Sequence, residues 1–182
     1  VPQETALIEV PCDTWGGWVW FNMNPEAEPL REFLGEIPEH LDPYHFDEMY
    51  IVQDRTIEWD CNWKTSVDAF NEVYHVQGIH PQILENIDDI HVQIDLYERH
   101  NRYLVPFGLL SPRYPNQTEL TRSLREMLHA AGIDSDTFTG GPAAVRPAIQ
   151  KKVKEHAATH GIDLSDLNDD QLTDDYHYYL FP

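Results

Sequence analysis

The chain has 182 residues, 41% of them apolar and 12% aromatic, which suits one globular domain with a substantial core and excludes a disordered segment. Its formal net charge of −20, from 32 Asp and Glu against 12 Lys and Arg, argues against nucleic-acid or anionic-membrane binding, because phosphate contacts need clustered cations. No run of roughly eighteen apolar residues is present to span a membrane, and no signal-peptide pattern opens the chain. Cys12 and Cys61 form no CxxC pair, as expected of free thiols in a reducing cytoplasm. The missing initiator Met leads us to expect a piece of a longer polypeptide.

In chain order, apolar alternation predicts strands over 6–10 and 15–22, with Gly16-Gly17 as a turn or bulge between aromatic positions. Pro29 to Leu34 suits a short helix with proline near its start, and Pro38 to Pro43 reads as loop. From Met49 to Cys61, the alternation of Ile51, Gln53, Arg55, Ile57 and Trp59 predicts a longer, half-exposed strand. Asn62 is a good N-cap for a helix over 63–76. Residues 81–90 read as short helix or loop, 92–105 as a strand or a hairpin of two, and 106–115 as irregular. A helix over 119–131 carries Leu120, Leu124, Met127 and Leu128 on one face and stops at Gly132. After a loop over 133–142, a second helix spans 143–160 and ends at Gly161. Ser165 or Asp169 caps one more turn before a strand over 175–181. There is no repeat or low-complexity linker, so the chain reads as a single unit. Strands in runs with helices inserted point to α+β, a mainly antiparallel sheet with helices packed on it.

One stretch carries chemistry. Glu72 and His75 are three apart and project from one face of the predicted helix; Gly78, as its stop, swings His80 back to the same side. Two imidazoles joined by a further carboxylate make the facial triad that holds non-haem Fe(II) with positions left open. Phe70, Asn71, Val76, Gln77 and Ile79 lie around these residues and are the candidates for a pocket wall, whose apolar lining would suit an aromatic or hydrophobic substrate. Trp63 and Tyr74 are expected to pack the helix against the sheet, and Lys64 to be a surface cation. His45, His91, His100 and His129 have no metal-like partner at helical spacing, and they, with His156 and His160, read as ordinary polar side chains. His177, in an alternating aromatic run, reads as a strand side chain.

Asn62-Trp63-Lys64, then Asp68 to His75 and His80-Pro81, resembles the iron-binding signature of the Rieske-type aromatic-ring-hydroxylating oxygenases, whose large (alpha) subunit carries N-W-K, E-x-F-x-E-x-Y-H, four residues, then H-P. Asp68 stands where the first Glu is common. Trp15 to Asn22 resembles the segment after the Rieske domain, and Asp174 to Pro182 a strand of the catalytic domain; the middle matches weakly.

The resemblance implies a helix-grip catalytic domain, incomplete within residues 1–182, with the helices between about 117 and 160 as an elaboration over the sheet or pocket mouth. It implies His75 and His80 as iron ligands. Glu72 would be the acidic residue that bridges the iron site to the Rieske [2Fe–2S] cluster of a neighbouring subunit in a trimer. The third ligand, an Asp, is expected beyond Pro182, since Asp88, Asp89, Asp95, Asp174 and Asp175 match no part of the motif. Neither Cys12 nor Cys61 has a histidine two or three residues on, so the Rieske domain and its cluster are expected outside this chain.

The implied activity is mono- or dioxygenation with O2 of an aromatic or related hydrophobic substrate, in aromatic hydrocarbon catabolism. Electrons would come from NAD(P)H through a reductase, either directly or via a ferredoxin, and the fragment alone would be inactive. A different reading of the same fold is a metal-free domain that binds a hydrophobic ligand.

Overall fold

The computed structural model describes residues 7–181. Where the sequence reads as one unit, the chain divides into two compact ones, residues 1–58 and 59–182.

In the first unit, β1 (Cys12–Trp15) and β2 (Trp18–Phe21) form an antiparallel hairpin. Gly16 and Gly17 have φ of 62° and 81°, and two successive positive φ values make the two-residue turn that suits a hairpin. The strand predicted over 15–22 is therefore cut in two by its own glycines. Residues 7–10 hold no regular structure, and residue 6 lies outside the described residues. The buried Trp15 donates its indole N–H to Asp42 Oδ1 at 2.7 Å, while Arg31 reaches Asp42 Oδ2 at 3.1 Å. Burial raises the Asp42 pKa, but these two hydrogen bonds outweigh it and leave the carboxyl below the usual carboxylate range.

Helix α1 (Leu30–Leu34) forms as predicted. Helix α2 (Ile37–Leu41) replaces the loop predicted from Pro38, because a proline in the first helical turn gives up no intrahelical hydrogen bond. Leu34 and Ile37 are buried.

The strand predicted over 49–61 does not form. Ile51 is 85% exposed and Trp59 56%, and among the described residues no strand lies beside this stretch. Alternation specifies a strand only where a neighbour takes up its N–H and C=O groups.

The second unit opens with α3 (Trp63–Ala69), capped as predicted: Asn62 Oδ1 accepts from the Lys64 N–H at 2.9 Å. Asn62→Ala is expected to cost about 1 kcal/mol in urea unfolding, the usual worth of an N-cap; no loss would mean that the cap is not formed. Further on, β3 (Gln93–Leu96), β4 (Asn101–Val105) and β5 (Asp175–Tyr179) pair in the order β3-β4-β5, antiparallel throughout. Tyr103 and Val105 on β4 form a core with Val73, Val76, Leu84 and Ile87, directly under the segment that carries the candidate ligands.

A second core joins α5 (Arg122–Ala130) to α6 (Val145–His160) through Leu124, Leu128, Val145 and Ile149. Helix α5 follows its predicted stripe, and both helices end at the predicted glycines, Gly132 and Gly161, which take φ of 72° and 69°. Helix α5 sits on the stretch just after His80: Thr121 Oγ1 donates to the Glu85 carbonyl at 2.9 Å and Ser123 Oγ to that of Gln82 at 3.3 Å. The architecture is α+β with antiparallel sheets, as the sequence predicts. Among the described residues no helix is long and apolar enough to cross a membrane.

Candidate metal centre

The helix predicted over 63–76 breaks before it reaches Glu72. Helix α3 ends at Ala69, and a separate one-turn helix, α4 (Val76–Ile79), follows. Asn71 supplies a reason: its side-chain Nδ2 donates to the Val67 carbonyl at 3.1 Å, the acceptor its own backbone N–H would use in a continuing helix. The backbone N–H bonds Asp68 O instead. Gly78 is not the stop; it lies inside α4, and His80 is the residue after the helix.

The two residues expected to meet on a helix face meet across this turn. Glu72 Oε2 accepts from the His75 backbone N–H at 3.1 Å, and Glu72 Oε1 makes a short hydrogen bond with His75 Nδ1. Both side chains are largely buried. A carboxylate on Nδ1 fixes ring orientation and tautomer and leaves Nε2 as the free ligand atom. The His80 ring lies 5.6 Å from that of His75, centroid to centroid, at 82°. One ion about 2.1 Å from a nitrogen of each ring fits a separation of this size. The donor set, two imidazoles with one already oriented by a carboxylate, suits Fe(II) as well as other divalent ions.

Among the described residues no group of three or more His, Cys, Asp and Glu is arranged to hold a metal. The carboxylates downstream are engaged elsewhere. Asp88 binds His91, Asp89 binds Ser111 and Arg113, and Asp95 binds Arg102. Asp174 pairs with Arg146 and Asp175 with His177.

The five pocket candidates do not form one wall. Val76 points into the core beside Tyr103 and Val105. Phe70 is partly exposed and stacks on His177 at 5.8 Å, while its carbonyl accepts from the Tyr179 hydroxyl at 2.7 Å. Asn71 turns a buried Oδ1 inward with no partner among the described residues. Gln77 reaches Asp89 at 3.5 Å, and Ile79 is exposed. Trp63 and Tyr74 do not pack the helix on the sheet: Tyr74 is 74% exposed, and exposed Trp63 lies under the Lys64 ammonium at 5.7 Å.

Sequence reasoning missed Tyr103. It is 3% exposed, its hydroxyl has no partner among the described residues, and its ring lies 5.9 Å from His177. Burial pushes its phenol pKa far above the usual value, with the Glu72 charge the next contribution. The inward parity of β4 was the only available signal. His177 is a strand side chain, as predicted. Cys12 and Cys61 are free and exposed.

The sequence model of the family described as ring hydroxylating alpha subunit (catalytic domain) matches residues 46–182. The glycine betaine monooxygenase oxygenase subunit of Chromohalobacter salexigens is 27% identical over 144 residues, 72% of this chain and 31% of that protein. Its namesake from Pseudomonas aeruginosa is 25% identical over 91 residues, 48% of this chain and 21% of that protein. The carnitine monooxygenase oxygenase subunit of Escherichia coli is 25% identical over 116 residues, 60% of this chain and 29% of that protein. The alignments thus cover about a fifth to a third of these relatives' length. No solved structure matches at a comparable level of significance. The chain belongs to the ring-hydroxylating oxygenase alpha-subunit family, through its catalytic domain.

Proposed function

We propose that this chain is the iron-binding portion of a monooxygenase oxygenase subunit that hydroxylates a small quaternary ammonium compound. The observation that carries the reading is the Glu72 carboxylate on His75 Nδ1 with the His80 ring 5.6 Å away from that of His75. Fe(II) at that pair would supply open coordination positions for activating O2. The third ligand, an Asp beyond Pro182, completes the triad in the longer polypeptide.

The roles of the chain's own residues follow. His75 and His80 present the imidazole nitrogens that would hold the ion. Glu72 holds His75 in the tautomer that leaves Nε2 free, and forms the path to the Rieske [2Fe–2S] cluster of a neighbouring subunit in a trimer. A reductase, with a ferredoxin, delivers the electrons from NAD(P)H. The exposed faces of Phe70 and Tyr74 are suited to a quaternary cation through cation–π attraction, and a net charge of −20 draws cations toward the protein. The relatives named for glycine betaine and carnitine support this substrate class over the aromatic or related hydrophobic substrate expected from sequence, and monooxygenation among the two outcomes that the sequence left open.

The test is turnover of the native-length subunit with its redox partners, offering betaine- and carnitine-type substrates beside aromatic ones under labelled O2. Label in a quaternary ammonium product is the expected result; label only in a ring-hydroxylated product overturns the substrate assignment. Glu72→Gln is expected to retain iron while coupled turnover falls roughly 10- to 100-fold. Undiminished turnover removes Glu72 from the electron path.

A further inference from the structure

We infer that the buried Asp89 carboxylate, fixed by Ser111 and Arg113, is a positioning group that sets the spacing of the His75–His80 pair through Gln77. The inference rests on reading these histidines as metal ligands. Helix α4, which lies between them, has four residues, one turn with too few internal hydrogen bonds to hold its own shape. It must be held from outside. On its N-terminal side the hold is Glu72 on His75, and beneath it Val76 sits in the core. Gln77, between the two histidines, donates its amide Nε2 to Asp89 Oδ2 at 3.5 Å.

Asp89 is a fixed post. Its side chain is 0% exposed, and it accepts from Ser111 Oγ at 2.5 Å and from Arg113 Nε at 2.7 Å. A buried carboxylate persists only when paired and hydrogen-bonded in this way. The backbone around it is laced as tightly. Ser111 N–H donates to Leu84 O at 3.1 Å, Gly108 N–H to Asn86 O at 2.9 Å, and Asp88 N–H to Pro106 O at 3.0 Å. Residues 84–89, just past His80, are thus tied to 106–113, and Gln77 reaches this frame at Asp89. A ligand pair on a one-turn helix needs such a post, because a shift of a few tenths of an ångström in ring spacing changes what the pair can chelate.

Gln77 is exposed, so its replacement leaves the core intact. Cu(II), the divalent ion that imidazole pairs bind most strongly, is a usable probe of the 182-residue chain carrying His156→Ala, which removes the competing pair of His156 and His160, whose rings lie 4.2 Å apart. Gln77→Leu is expected to weaken Cu(II) binding about tenfold and to shift the Cu(II) hyperfine splitting in electron paramagnetic resonance, with thermal unfolding unchanged. Gln77→Asn keeps the amide but shortens its reach, and is expected to behave in the same way. If both variants bind like the parent with the parent's spectrum, the positioning role is overturned. His75→Ala in parallel separates the two claims: loss of the site there, with Gln77 variants unchanged, refutes this inference alone. A His75→Ala chain that keeps the site refutes the ligand assignment itself.

Discussion

Fe(II) affinity of the native-length polypeptide is expected to fall at least about 100-fold when His75 and His80 are both replaced by alanine. Loss of outer partners alone commonly costs 10- to 100-fold, and here the ligand atoms themselves go. Anaerobic Fe(II) titration reads the effect. Protons compete with a metal for the imidazole nitrogens, so affinity in the parent should fall on acidification. The double variant should lose this dependence together with its affinity. A variant that still binds iron tightly, with the same pH slope, would place the site elsewhere among the chain's histidines.

The second large effect is on stability. Arg146, in the first turn of α6, donates to the Phe107 carbonyl at 2.6 Å and to Asp170 at 2.6 Å, and pairs with Asp174. Burial works against its charge, but the hydrogen bonds it donates to Asp174 and Asp170 outweigh it and hold the guanidinium more firmly protonated than usual. Asp174 is itself almost fully buried, and its Oδ1 also accepts from the Phe107 N–H at 3.2 Å. Arg146→Met would leave a buried carboxylate and a carbonyl without their main partner. The expected loss is about 3–5 kcal/mol, a large fraction of the about 5–15 kcal/mol that holds a typical domain folded. Asp174→Asn keeps an acceptor for the guanidinium and should cost less. Urea unfolding measures both, and a loss below about 1 kcal/mol for Arg146→Met would show that the pair is replaced by water.

How far the sequence carried the fold depends on whether each element's cause is local. Helix α5 was legible because Leu124, Leu128 and their neighbours repeat at helical spacing, and the ends of α5 and α6 because a glycine stops each one. The Gly16-Gly17 turn was legible for the same reason, although its two positive φ values divide what reads as one strand. The segment over 49–61 failed because its pattern names a face and not a partner. The helix over 63–76 failed because periodicity does not record that the Asn71 side chain takes the Val67 carbonyl.

At the candidate site, the closeness of Glu72, His75 and His80 was legible, since local spacing and a specific motif coincide there. Their geometry was not: a turn, not a helix face, brings Glu72 to His75. Val76 fell on the core side because α4 starts a new helical phase after the break. Asp89 gave no signal at all, because its partners Ser111 and Arg113 stand 22 and 24 residues away and meet it only through the fold.

The central claim, that His75 and His80 together hold the iron of an oxygenase subunit, is most directly tested by counting imidazole nitrogens at the metal. Electron–nuclear double resonance on the nitric oxide adduct of the Fe(II)-loaded, native-length polypeptide does this. Two coupled imidazole nitrogens are expected in the parent, and one in each of His75→Ala and His80→Ala. An unchanged nitrogen count in either single variant would contradict the account.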